Sequence, residues 1–209
     1  MRMDQIQILS PFRSEGSASA FGLNEAIREE VNPESSERPQ ITFGGRLFRL
    51  RDRIMQVKND YDIILRDRDG EMVGKGVFNG EIGIICKIGA GIVTVNFDGR
   101  YAEYPLENLH ELELSYAMTI HKSQGSEYDT VIMPMLPAHK ILLSRNLFYT
   151  AVTRAKTRVI LVGQKKALFM AIHKCSKNKR NTLLGERITL YLQSLCRKTT
   201  PEQKLKNAG

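Results

Sequence analysis

The spacing of hydrophobic positions changes character three times along the chain. "DQIQILSP" sets Ile6 and Leu9 among polar neighbours and stops at Pro11, which predicts a buried strand. "SAFGLNEAIREEVNP" repeats Leu23, Ile27 and Val31 every fourth residue before Pro33, the pattern of an amphipathic helix. "ESSERPQ" reads as a linker. From Gly44 the runs shorten: "RIMQVKN", "EIGIICKI", "IVTVNFDG" and "RYAEYP" are β-rich and separated by Gly-containing turns, which predicts a small barrel or meander. Beyond residue 111 the longer pattern returns. "ELELSYAM" and "DTVIMPM" read as strands. "SRNLFYTAVTRAK" reads as a helix with Leu147, Val152 and the ring of Phe148 or Tyr149 on one face. "TRVILVG" is continuously apolar, as in a strand buried on both faces of a parallel sheet. "ALFMAIHKC" and "TLLGERITLYLQSLC" close the series as helices, the second with Leu184, Ile188, Tyr191, Leu192 and Leu195 on one side.

Strand and helix in alternation predict an α/β domain. Here that domain is discontinuous. Residues 1–43 and 112–198 must pair to complete one parallel sheet, with a β module of residues 44–111 inserted between them. Residues 199–209 read as a basic, flexible tail.

Composition changes this picture little. A chain of 209 residues with 42% hydrophobic and 26% charged residues is ordinary for a globular protein. It has no apolar run of the roughly 18 residues that a membrane span needs, so no membrane partner is expected. "MRMDQIQILSPF" lacks the apolar core of a signal peptide, which predicts a cytoplasmic protein. Cys86, Cys175 and Cys196 are too scattered for a metal site or a disulfide framework and read as small buried hydrophobes. No metal ligands are assigned.

Charge changes it more. Of 31 Lys and Arg, 14 lie from Arg154 onward against two acids, Glu186 and Glu202. The whole net charge of +8 therefore resides in the last quarter of the chain. Two readings fit: a surface for a polyanion, or a solvated helix face and loop along "KKALFMAIHKCSKNKR".

The densest chemistry is "TIHKSQGSE", residues 119–127. It follows a predicted strand, so it sits where ligands of α/β sheets bind. Gly125 permits close backbone approach, and N–H groups at a following helix start attract phosphate oxygens. Thr119 and His121 offer donors for phosphate; Glu127 offers an acceptor for a sugar hydroxyl. The competing reading is a capping loop in which Ser123 starts a helix and Ser126 or Glu127 completes the cap. "YTAVTRAK" places Arg154 and Lys156 at a helix C-terminus, where they either complement the helix dipole or serve as an arginine finger. "LSPFR" places Arg13 just after a strand, and two such arginines of one sheet could meet one γ-phosphate.

Taken in order, "ILSPFR", "YAMTIHKSQGSEYDTVIMP" and "RNLFYTAVTRAKTRVILVG" resemble motifs IV, V and VI of superfamily 1 helicases. The inserted "DRIMQVKNDYD…VFNGEIG" resembles the SH3-like barrel of RecD-like helicases, relatives of the exodeoxyribonuclease V alpha chain. The resemblance implies a RecA-like, P-loop NTPase-type parallel sheet, the second motor lobe, interrupted by an SH3-like β-barrel. It implies that Arg13 and Arg154 contact the γ-phosphate of ATP and that Glu127 binds the ribose. Thr119, His121 and Lys122 would contact phosphates of single-stranded DNA. Ser123, Gln124 and Gly125 would form the loop between the two sites, with Ser123 toward DNA and Gln124 and Gly125 toward the nucleotide. Asn59 and Asn79 of the barrel would lie near the strand. No G-x-x-x-x-G-K-[ST] motif occurs, so ATP and Mg²⁺ would be held mainly by an N-terminal P-loop lobe of the same enzyme. The chain alone is expected to be inactive. Two alternatives remain at this point: a nucleic-acid-binding protein that lost the motor, and a subunit of a nuclease complex.

Overall fold

The computed structural model describes residues 5–14, 16, 18–174 and 183–198. Strand β1 (Ile6–Ser10) leads through a loop to helix α1 (Ala20–Val31), whose cap is Ser19, its hydroxyl accepting from the Gly22 N–H. A hairpin follows, β2 (Gln40–Phe43) and β3 (Arg46–Arg49), then β4 (Arg53–Gln56), β5 (Asp60–Arg66), β6 (Met72–Val77), β7 (Ile82–Gly89), β8 (Ile92–Phe97) and β9 (Arg100–Pro105). A 3₁₀ turn over Leu106–Glu111 leads to β10 (Leu112–Leu114) and β11 (Ala117–Thr119). The chain continues through β12 (Tyr128–Met135), α2 (Arg145–Val152), β13 (Ala155–Gly163) and α3 (Lys165–His173). Helix α4 (Leu184–Lys198) belongs to a separate unit, Ser176–Gly209.

Besides the two-stranded β2–β3 sheet, two larger sheets organise the described residues up to 174. One is four-stranded and wholly parallel, in the order β11-β1-β12-β13. Its inner strand β1 pairs with β11 and β12, more than a hundred residues downstream. The two outer segments of the α/β pattern therefore do complete one sheet. The other sheet is antiparallel and seven-stranded, in the order β10-β4-β7-β8-β9-β5-β6. Each sheet has its own core. Phe48, Ile54, Leu65, Val77, Ile85, Val95, Phe97 and Tyr104 fill the antiparallel one. Leu9, Met118, Ile120, Val131, Met133 and Ala151 fill the parallel one. Strand β4 serves both. Because successive side chains of a strand point to opposite faces, Ile54 enters the first core and its neighbour Met55 the second. On β7 a Cβ at Gly83 would come within 2.5 Å of Val95 Cγ1 and 2.9 Å of the Asn96 carbonyl oxygen, so only glycine permits the approach of β8.

Four expectations need correction. "ELELSYAM" is two strands: β10 pairs with β4 in the antiparallel sheet, and β11 with β1 in the parallel one. The break at Ser115–Tyr116 sends the chain from one sheet to the other. Second, α1 does not bury its apolar stripe. Its buried residues are Ala20, Asn24 and Arg28, while Val31 is exposed. The helix lies over strand ends whose backbone groups require partners. Asn24 donates to the carbonyls of Leu114 and Ala117 and accepts from the Ala117 N–H, and Arg28 donates to the Leu47 carbonyl.

Third, among the described residues β13 is an edge strand with only β12 beside it. Ile160 and Leu161 are 37% exposed and Val162 is 56% exposed, so it is not buried on both faces. Fourth, Cys86 is exposed on β7, its thiol donating to the Thr94 carbonyl. Cys175, the side chain of Cys196, the run 175–182 and the tail 199–209 lie outside the described residues.

Candidate nucleotide and nucleic-acid sites

Register fixes where the candidate residues lie. Ser10 at the end of β1 pairs with Thr119 at the end of β11, so Thr119 marks the carboxyl edge of the parallel sheet. Tyr128 opens β12 opposite Ala155, the first residue of β13, and marks the other edge. Residues 120–127 therefore carry the chain from one edge to the other. At a strand rise of about 3.3 Å per residue, the crossing exceeds the height of β1.

The crossing segment is a succession of turns. Ser123 N–H donates to the Thr119 carbonyl, Gln124 N–H to His121, and Ser126 N–H to Ser123. Lys122 N–H donates to Thr119 Oγ1. The Ser123 hydroxyl is fully buried and donates to the Ile120 carbonyl, while Ile120 is itself in the core. Gly125 has φ +87°, a left-handed conformation that favours glycine. No helix follows it; β12 begins directly. Both readings that required a helix start here, phosphate binding at its N–H groups and capping by Ser123, are removed. What remains is a loop anchored by Ile120 and Ser123, with His121, Gln124 and Glu127 exposed.

At the carboxyl edge, three cations surround one carboxylate. Glu113 of β10 accepts from Arg13 at 2.7 Å and from Lys122 at 2.9 Å, with Arg46 at 3.5 Å. Burial pushes the Glu113 carboxyl upward, but the Lys122 hydrogen bond and the charges of Lys122, Arg13 and Arg46 outweigh it and hold the group below its ordinary value.

At the opposite edge the arrangement differs. Arg154 donates through Nη1 to the Ser126 carbonyl at 3.1 Å and through Nε to the Thr150 carbonyl at 3.3 Å. Its own carbonyl accepts from the Tyr128 N–H. Glu127 lies 3.7 Å from Lys156, both largely exposed. An arginine fork, an ammonium and a carboxylate acceptor thus meet at one end of the loop. That donor set fits the phosphates and sugar of a nucleotide. Among the described residues no cluster of three or more acidic, His or Cys side chains could hold a metal ion.

The structure does not bring Arg13 and Arg154 together. Arg13 follows the carboxyl end of β1, whereas Arg154 precedes the amino end of β13 in the same parallel sheet. Spacing along the sequence could not show this, because it does not distinguish the two ends of a sheet. Arg13 instead joins Thr119 and Lys122.

On the antiparallel sheet, Asn59 and Asn79 are neighbours. The Asn79 N–H donates to Asn59 Oδ1 at 2.9 Å, and Asn59 Nδ2 to the Tyr61 hydroxyl at 3.1 Å. Tyr61 and Phe78 pack edge to face at 5.7 Å and are 65% and 45% exposed. The sequence reading named the two asparagines and missed the two rings. Their signal was an aromatic beside each polar turn, in "NDYD" and "VFNG". Glu113 and Arg46 were also missed, and nothing in the strand alternation distinguishes them from ordinary surface charges.

Comparison with known proteins places this architecture. Residues 114–162 match the UvrD-like helicase C-terminal domain, and residues 23–97 match the SH3 domain of ATP-dependent RecD-like DNA helicases. The ATP-dependent RecD2 DNA helicase of Deinococcus radiodurans is 35% identical over 186 residues, 89% of this chain and 24% of that protein. The RecBCD enzyme subunit RecD of Mycolicibacterium smegmatis is 41% identical over 101 residues, 48% of this chain and 18% of that one. The chain thus spans about a quarter or less of the length of these relatives. A Bacteroides Pif1 helicase, solved with ADP-AlF3 and single-stranded DNA, shares the fold with TM-score 0.52 and 15% identity, over 90% of this chain and 45% of that one. The parallel sheet is the RecA-like element and the antiparallel one the SH3-like insert, and family models and curated relatives alike match the chain to the C-terminal part of RecD-like DNA helicases.

Proposed function

We propose that the chain acts as the second motor lobe of an ATP-dependent DNA helicase, binding single-stranded DNA at one edge of its parallel sheet and nucleotide at the other. One observation carries the reading: residues 120–127 run between the two edges and are tied at both. Thr119, His121, Lys122 and Arg13 hold the DNA side, with Ser123 anchoring the loop. Glu127 accepts from the ribose, Gln124 and Gly125 lie on the nucleotide side of the loop, and Arg154, braced on the Ser126 carbonyl, directs its fork to the γ-phosphate. Such a fork stabilises charge on a transferring phosphoryl group. Arg13 moves from the nucleotide to the DNA in this reading because its partners lie at the carboxyl edge.

The discontinuous lobe, residues 1–43 and 112–198, carries the barrel of residues 44–111 as an insert, with β10 shared by pairing. Asn59 and Asn79, with Tyr61 and Phe78 beside them, extend the path for the strand, since exposed rings stack bases without regard to sequence. ATP and Mg²⁺ are held mainly by a P-loop lobe, which supplies the amide cradle and Lys that this chain lacks. The reading makes the isolated chain inactive in ATP hydrolysis. ATPase assays on the purified chain, with and without single-stranded DNA, test it. Background rates are expected; DNA-stimulated turnover abolished by Arg154→Ala would overturn the division of labour.

A further inference from the structure

Between α1, the β2–β3 turn and the start of the 120–127 loop lies a cavity of about 370 Å³. Its volume lies within the range of small-molecule sites, about 300–1,000 Å³. Its apolar lining is graded: Phe21 is exposed and Leu47 and Leu114 are half-buried, while Phe48, Met55 and Met118 are almost fully buried. The rim is cationic. Arg13, Arg46 and Lys122 line it and converge on Glu113, also at its edge. Each cation comes from a different segment: the loop after β1, the start of β3, and the loop after β11. Glu25 also lines the cavity, but its carboxylate pairs with Arg28, which leaves Glu113 to neutralise one of the three charges. The cluster therefore keeps a surplus that a second anion would satisfy, beside an apolar hollow that no described side chain fills.

We propose that this cavity seats one nucleotide of single-stranded nucleic acid, its base on the apolar floor and its phosphate on the three cations that Glu113 now occupies. The proposal rests on the assignment of the carboxyl edge to DNA, and adds Arg46, Glu113 and a seat for a base. Guanidinium groups donate to phosphate oxygens as well as to carboxylate oxygens, so Arg13 and Arg46 can serve either anion. Glu113 is then a built-in competitor. It holds the loop against the barrel strand β10 until a phosphate takes over its partners.

The test is binding of a labelled thymidine oligomer, and of an abasic strand of equal length, to the full 209-residue chain at several salt concentrations. Arg46→Ala should weaken thymidine binding several-fold and reduce the salt slope by about one. Glu113→Gln should tighten it several-fold. The abasic strand should bind more weakly than the thymidine strand. Unchanged affinity in both variants, with His121→Ala still weakening binding, would overturn the seat and leave the DNA reading standing. Equal affinity for the two strands would likewise remove the base from the cavity. No binding of either strand by the unaltered chain would sink both readings. Thermal unfolding of each variant accompanies the titrations; if Glu113→Gln is unfolded, the half-exposed Arg46 decides the matter.

Discussion

The two edges of the parallel sheet carry the same kinds of side chain in different arrangements. At the carboxyl edge three cations crowd one partly buried carboxylate, and the cavity beside them is lined with apolar groups. At the amino edge one carboxylate faces one ammonium in the open, and the guanidinium of Arg154 is spent largely on backbone carbonyls. A clustered, sheltered charge excess suits a polyanion that must be gripped by its backbone. A single well-braced fork suits a point of developing charge that must be met in one geometry. The eight residues between the edges keep them apart in space but covalently close. That is the arrangement a motor needs if an event at one edge is to be felt at the other.

The comparison can be broken most forcefully at Arg154. In an enzyme that joins this lobe to a P-loop lobe, Arg154→Ala should lower turnover by about 10³ to 10⁵, the range of arginine fingers in phosphoryl transfer. Arg154→Lys should recover little of it, because an ammonium lacks the planar fork. Steady-state ATPase rates at saturating DNA check both, and near-normal rates in the alanine variant would remove Arg154 from the chemistry. A smaller effect belongs to the link between the edges. Around Gly125 there is open space within 4 Å of an added Cβ, so Gly125→Ala costs only backbone strain, about 1–2 kcal/mol at φ +87°. It should lower the unfolding free energy by that amount and blunt DNA stimulation of the ATPase while sparing the basal rate. Equal loss of basal and stimulated rates would show that the loop does not couple the edges.

The smallest expected effect is acid-dependent and belongs to Glu113. Its folded-state value lies below the ordinary carboxylate value that the unfolded chain retains. The carboxylate therefore contributes stability that is fully present above the ordinary carboxylate range and is lost as pH falls through it toward the folded value. Glu113→Gln lacks that contribution, so its deficit against the unaltered chain should shrink on acidification. Denaturant unfolding at neutral and acid pH measures the gap; a deficit that stays constant would mean that the ionised form of Glu113 holds nothing together.

Much of the fold was legible because the hydrophobic period reports directly on strands and helices. The return of the chain to β1 after a β insert followed from the change in texture near residues 44 and 111. The failures have physical causes. Leu23, Ile27 and Val31 look like a core stripe, but α1 lies over unpaired strand ends and buries Asn24 and Arg28 instead. The apolar run of β13 reads as doubly buried because sequence alone cannot tell an edge strand from a central one. At the site, the residue types of 119–127 and 154 pointed to phosphate and sugar, and register then sorted them by edge. Arg13 was placed with Arg154 because sequence order carries no information on which end of a sheet a loop occupies. Glu113 and Arg46 became visible only through the partners that folding brings to them.

The separation of the two edges is most directly tested by comparing the salt dependence of single-stranded DNA binding for the chain, Arg13→Ala and Arg154→Ala. The account predicts that Arg13→Ala weakens binding and lowers the slope of log affinity against log salt by about one, while Arg154→Ala leaves both unchanged. A lowered slope in Arg154→Ala, with Arg13→Ala indistinguishable from the unaltered chain, would contradict it.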